Sequence, residues 1–210
     1  MKKLIFTIFS FFLAINLQAT DLTEGKQYIR LDTVRSLQPE IIEFFSFYCP
    51  HCRSFEEEYK IPQKIKEKLP EGTKFKQYHV NFLGLQSENL TRAWALAMAL
   101  GVEEKVKPAL FDVAQKAAMK GDTNSFSMEN IRTIFLQQGI TAEQFDGGIN
   151  SFAVNSLVNK QIKAAEQMKV RGVPDFYING KYRINPEGLS RTRDGFIRDY
   201  IETTIKLLDK

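Results

Sequence analysis

The 210-residue sequence predicts an α/β domain interrupted by an all-helical insertion. Three observations carry this reading. Short apolar strand patterns occupy 40–47 and 75–82 and return at 175–184. Between Leu90 and Lys169 every periodic segment has helical spacing. The composition, 43% hydrophobic and 26% charged with 12 Gly and 7 Pro, is globular and excludes a collagen-like, low-complexity or largely disordered chain.

The first segment reads as an export signal. Met1-Lys2-Lys3 is a positive start, Leu4 to Ile15 is an apolar run, and Leu17-Gln18-Ala19 is the cleavage region, with Leu17 larger than the residue usual there. A membrane anchor is the competing reading, but the run contains Thr7 and Ser10 and falls short of the ~20 apolar residues a bilayer needs. Removal near Ala19 leaves an exported chain in a compartment where disulfides persist. The formal charge is +4, and two of those charges lie at Lys2 and Lys3. With no Lys/Arg block, nucleic acid is not an expected partner.

Glu40 to Phe47 is a nearly continuous apolar run, as a buried central strand requires. Arg53 to Leu69 has helical spacing with Phe55, Tyr59 and Ile65 on one face; Pro62 predicts a kink and Pro70-Glu71-Gly72 an end. Phe75 to Phe82 is a second strand. Leu90 to Leu100 closes at Gly101, Glu103 to Lys120 contains Pro108, and Ser127 caps Met128 to Gln138. Thr141 and Gln144 fit a capping box, and Ser151 to Met168 is a further helix. Asn179-Gly180 between Asp175–Ile178 and Lys181–Ile184 signals a type I′ hairpin, and Asp194 to Leu208 is a terminal amphipathic helix. The expected division is 20–83 plus 162–210 for the α/β domain and 84–161 for the insertion.

The only two cysteines lie three apart, after the first strand and at the start of a helix. A structural staple would close a tiny loop worth only about 2 kcal/mol in the chain-entropy model. Zinc wants four ligands, while the chain has two Cys and two His, with His51 between the thiols and His79 on another strand. A redox pair is the usual meaning of Cys-x-x-Cys beside a strand–helix unit. In that reading Cys49 is the exposed nucleophile, its thiolate favoured by unpaired helix N-terminal amides, and Cys52 is the less accessible partner. Pro50 suits the first helical turn, and His51 could add positive charge or hydrogen bonds toward Cys49.

Cys49-Pro50-His51-Cys52 within Glu43-Phe44-Phe45-Ser46-Phe47-Tyr48 resembles the active site of the DsbA family, periplasmic dithiol oxidases of thioredoxin fold. The likeness extends to Gly25-Lys26-Gln27-Tyr28, Leu69-Pro70-Glu71-Gly72, Tyr78-His79-Val80-Asn81-Phe82, Ala93-Trp94-Ala95 and Asn179-Gly180-Lys181-Tyr182. It implies a thioredoxin fold interrupted by the helical insertion. Arg171-Gly172-Val173-Pro174 matches the family's cis-proline loop, with Val173 and Pro174 facing the cysteines and a substrate peptide. Glu43 is implied to be a buried acid beneath Cys52 that moves protons, and Glu56 to belong to the same charge network. Where members often carry a strand lysine, this chain has Gln77, with Lys76 pointing to the opposite side. The stretch Met119 to Ser127 is longer than in well-known members. The implied activity is donation of a Cys49–Cys52 disulfide to reduced exported proteins by a monomer, with reoxidation by a DsbB-like, quinone-linked membrane partner. No metal or organic cofactor is expected. A reductase or isomerase, or a peptide-binding chaperone with a vestigial site, is the alternative.

Overall fold

The structure, a computed structural model, describes residues 21–122 and 124–210. The expected export signal, 1–19, lies outside the described residues. The strands are β1 (Tyr28–Arg30), β2 (Glu40–Phe45), β3 (Lys74–His79), β4 (Asp175–Ile178) and β5 (Tyr182–Ile184). They form one sheet in the order β1-β5-β4-β2-β3. β2 runs parallel to β3 and antiparallel to β4, so the strand that leads into the cysteines is an interior one, beside the central β4.

Period-two alternation along β2 divides the core. Ile41 packs with Phe176, Phe55, Ile61 and Ile65, the last two from α2 (Ile61–Lys66), and with Tyr200 and Leu207 of α8 (Arg193–Leu208). Ile42 and Phe44 pack on the other face with Tyr78, Tyr177 and Ala165, the last from α7 (Phe152–Gln167). The insertion supplies α3 (Ser87–Leu100), α4 (Glu103–Lys120), α5 (Met128–Gln137) and α6 (Ala142–Gly148). Their cluster around Trp94, Phe111 and Phe135 also takes in Phe45, Phe47, Cys49 and Cys52, so the cysteines sit where the two halves of the molecule meet.

Local chemistry sets most boundaries. Gly101 adopts φ 67° and closes α3, Ser127 and Ser151 cap α5 and α7, and Thr141 with Gln144 forms a complete capping box. Asn179 and Gly180 take φ 53° and 62°, the left-handed pair a type I′ turn requires. α7 is continuous through the expected domain seam at 161/162.

Three local expectations need correction. The helix expected over 53–69 is divided into α1 (Pro50–Arg53), a π-turn (Ser54–Glu58) and α2. Lys60 turns left-handed at φ 55° between them, and Pro62 falls in the first turn of a new helix, where its missing N–H costs nothing. β2 stops at Phe45 because Ser46 begins a turn: its carbonyl accepts from Cys49 N (3.0 Å) and its hydroxyl from Tyr48 N (3.2 Å). β1, which the sequence pattern did not mark, is a three-residue edge strand held by pairing Tyr28 with Ile184 and Arg30 with Tyr182.

At the end of β3, His79 is 1% exposed, stacks on Phe47 at 5.1 Å and shares a hydrogen bond between Nδ1 and Thr91 Oγ1 (3.0 Å). Its Nε2 has no partner among the described residues, and burial pushes the ring down to about 3. The unfolded chain therefore binds this proton first, near the ordinary 6.5. Stability is fully present above that pH and falls toward pH 3, by up to about 1.4 kcal/mol per unit. Urea melts across that range should show this slope, and His79→Gln should flatten it; an unchanged slope would exclude His79 as its source.

Candidate active site

Cys49 is the N-cap of α1, with extended backbone (φ −86°, ψ 113°) that leaves the first amides of the turn unpaired along the chain. The side chain takes up that position: Cys49 Sγ accepts from Cys52 N at 3.2 Å. The Cys49 thiol lies 3.3 Å from the Val173 carbonyl and donates to it. The Val173–Pro174 peptide bond is cis, as the loop motif implies. Asp175, next in the chain, accepts from Arg183 Nε (2.8 and 2.9 Å) and Tyr177 Oη (3.0 Å), anchoring the loop to β4 and β5. Sequence reasoning did not single out Asp175 or Arg183.

Both cysteines are free thiols. The Cys49 thiol is held below the ordinary range first by the hydrogen bond from the Cys52 thiol, then by the backbone N–H groups of Cys52 and His51, against the opposing effect of burial. Burial pushes Cys52 well above its ordinary value, and the neighbouring Cys49 sulfur adds to that. The two thiols are thus driven apart. Cys49 is only 5% exposed and Cys52 1%, so the expectation of an exposed Cys49 is corrected: the Val173 loop and the edge of the helical cluster cover it. His51 is exposed, and its side chain faces an 840 Å³ groove shared with Pro174, Phe55, Tyr59, Leu189 and Phe196. On the opposite flank, Tyr48 Oη donates to Leu85 O (2.8 Å); a Cβ on Gly84 would stand 2.2 Å from the Tyr48 ring, so only glycine allows that loop to lie against it.

The β2–β3 register places Glu43 opposite Gln77, and the charge of Glu43 acts on Cys52. Gln77 Nε2 donates to Glu43 Oε2 (2.7 Å) and to Glu56 Oε2 (2.9 Å). Glu43 is 1% exposed, and burial, reinforced by the charge of Glu56, raises its carboxyl to about 8. Lys76, one residue away, faces the other side of the sheet and pairs with Glu40. The cation on the Glu43 side comes instead from the helical insertion: Lys107 Nζ lies 2.9 Å from Glu56 Oε1 and 3.0 Å from Gln77 Oε1. Nothing in the sequence distinguished Lys107 from the other lysines of α4, because its buried partners, Glu56 and Gln77, come from the π-turn and β3.

Residues 40–192 match the family described as DSBA-like thioredoxin domain. The chain belongs to the DsbA family. It is 63% identical to the thiol:disulfide interchange protein DsbA of Haemophilus influenzae and 43% identical to that of Escherichia coli, each over the full length of both chains. The crystal structure of DsbA from Proteus mirabilis is similar at a TM-score of 0.83 and 43% identity, covering 90% of this chain and 98% of that one. A further Proteus mirabilis DsbA structure, with the peptide PWATCDS bound non-covalently, gives a TM-score of 0.82 at 42% identity, covering 90% of this chain and all of the other. Membership in the DsbA family makes the fold a thioredoxin fold with helical insertion and the protein a disulfide oxidoreductase.

Proposed function

We propose that the protein acts in the periplasm as a monomeric dithiol oxidase, donating a Cys49–Cys52 disulfide to reduced exported proteins. The observation that carries this reading is the opposed pair of thiols: Cys49 held low by hydrogen bonds at a helix N-cap, Cys52 held high by burial. A substrate thiolate attacks Cys49 Sγ, the Cys49–Cys52 bond breaks, and its electron pair leaves on Cys52 Sγ. Glu43, whose carboxyl titrates near 8, gives its proton to that thiolate and regains one from water. A second substrate thiolate then attacks the substrate sulfur of the mixed disulfide, and Cys49 departs as a thiolate. The substrate dithiol is oxidised and the enzyme disulfide reduced, two electrons in all.

Whatever favours the Cys49 thiolate favours the reduced enzyme and makes the disulfide a stronger donor. The groove beside His51 and Pro174, walled by Phe55, Tyr59 and Phe196, supplies an apolar face along which an extended substrate segment fits. Returning the thiols to the disulfide needs an external electron acceptor, for which a DsbB-like, quinone-linked membrane protein is the fitting partner. The test is a pH titration of thiolate absorbance in the reduced protein. The expected midpoint for Cys49 lies below the ordinary thiol range; a midpoint at or above it overturns the reading.

A further inference from the structure

We propose that Lys107 is a positioning residue of the exchange reaction: held between Glu56 and Gln77, it decides which buried carboxyl beneath Cys52 carries the mobile proton. The inference rests on the oxidase reading and adds to it a part for the helical insertion. Lys107 is 2% exposed, a burial that an ammonium group tolerates only when fully paired. Its Nζ reaches Glu56 Oε1 (2.9 Å), Gln77 Oε1 (3.0 Å) and Glu104 Oε1 (3.1 Å), and sits 5.6 Å from the centre of the Trp94 ring.

These contacts have a direct consequence for Gln77. Because Lys107 can only donate, it claims the amide oxygen, which leaves the amide nitrogen to face the two carboxyls. Gln77 Nε2 therefore donates to Glu43 and Glu56 together, linking them in one network. Within that network the cation touches Glu56 and not Glu43. Two carboxylates this close resist ionising together. The ammonium lies against Glu56 and not Glu43, so the proton resides on Glu43, the carboxyl whose charge acts on the leaving sulfur of Cys52. The groups facing this pair are Gln77 from β3, Cys52 from α1, Gln63 and Lys66 from α2, Lys107 and Glu104 from α4, and Tyr200 from α8, with Gln63 Nε2 donating to the same Glu56 oxygen that Lys107 contacts. Lys66 is more exposed and bonds Glu104, so Lys107 is the cation in contact with the buried pair.

The arrangement also ties the redox centre to the insertion. Trp94 Nε1 donates to Gln77 O at 2.7 Å, so α3 holds the backbone of the same residue whose side chain α4 orients. The insertion thus supplies a charge to the proton-transfer site as well as a wall beside it.

The test is a carbon-13 NMR titration of glutamate carboxyls in the reduced protein, paired with the pH profile of oxidation of a reduced dithiol peptide. Lys107→Met should move the Glu43 midpoint upward by roughly one to two pH units, because an attractive charge is lost, and the rate profile should move with it. Lys107→Met combined with Gln77→Lys puts a cation back beside the same two carboxyls and should return both readouts toward their starting positions. Since the single variant leaves a buried carboxylate without its cation, the double variant also decides the matter if the single one does not fold. A folded Lys107→Met protein with an unmoved Glu43 midpoint overturns the proposal, as does a double variant that folds with the midpoint still displaced. If the unsubstituted protein fails to oxidise the peptide, the oxidase reading falls as well; if it oxidises normally, only the part given to Lys107 is at stake.

Discussion

Cys49→Ser should lower the rate of dithiol oxidation by about a thousandfold or more while leaving the fold intact. The loss follows from bonding: a hydroxyl cannot hold half of a disulfide, and Cys52, left as a lone thiol, has no S–S bond for a substrate thiolate to break. The fold survives because the side chain at this position caps α1 by accepting from Cys52 N, and a serine oxygen accepts that hydrogen bond at least as well. Residual thiols counted in a reduced, unfolded client give the rate, and a thermal melt checks the fold. A folded variant that still oxidises the client would remove Cys49 from the mechanism. One that loses oxidation yet suppresses client aggregation as well as before would show that the groove beside Pro174 binds peptides independently of the redox step.

Glu43→Gln should stabilise the protein at alkaline pH and change it little in acid. Glu43 is raised to about 8 in the folded protein from an ordinary 4.5. Between those values the folded state binds the proton more tightly than the unfolded state. The stabilising contribution is therefore fully present below pH 4.5 and lost as pH rises through 8, by up to about 5 kcal/mol over the whole interval. Glutamine stays neutral throughout, and its carbonyl oxygen can still accept from Gln77 Nε2. Urea midpoints of the two proteins at pH 4 and pH 9 measure the effect. Equal differences at both pH values would mean that Glu43 is not the proton-carrying group. The same substitution should slow oxidation near neutral pH, because Cys52 then leaves without a donor. A stability gain paired with an activity loss is the signature of a buried acid kept for its chemistry.

Elements with strong local signals appeared where their residues predicted them. The capping box at Thr141 and Gln144, the serine cap at 127, Gly101 and the Asn179-Gly180 turn each act through hydrogen bonds or dihedrals within a few residues, so a short window contains the whole cause. The division of residues 50–66 was less legible. Pro62 announced a disturbance, but the left-handed turn at Lys60 and the π-turn before it accompany the packing of Phe55 on Phe176 and Tyr200. β1 was invisible for the opposite reason: three residues with little local pattern become a strand only because β5 offers them an edge.

At the site, spacing alone brought Cys49 and Cys52 to one helical turn, and strand alternation put Gln77 and Lys76 on opposite faces of the sheet. The burial of Cys49, the joining of Glu43 to Glu56 through Gln77, and the arrival of Lys107 from α4 were decided in three dimensions. Hydrogen bonds within a turn reach across a few neighbours and leave a trace in order and spacing. A charge delivered across 51 positions of chain, from Lys107 to Glu56, leaves none, because its partners become neighbours only when the helical insertion closes over the sheet.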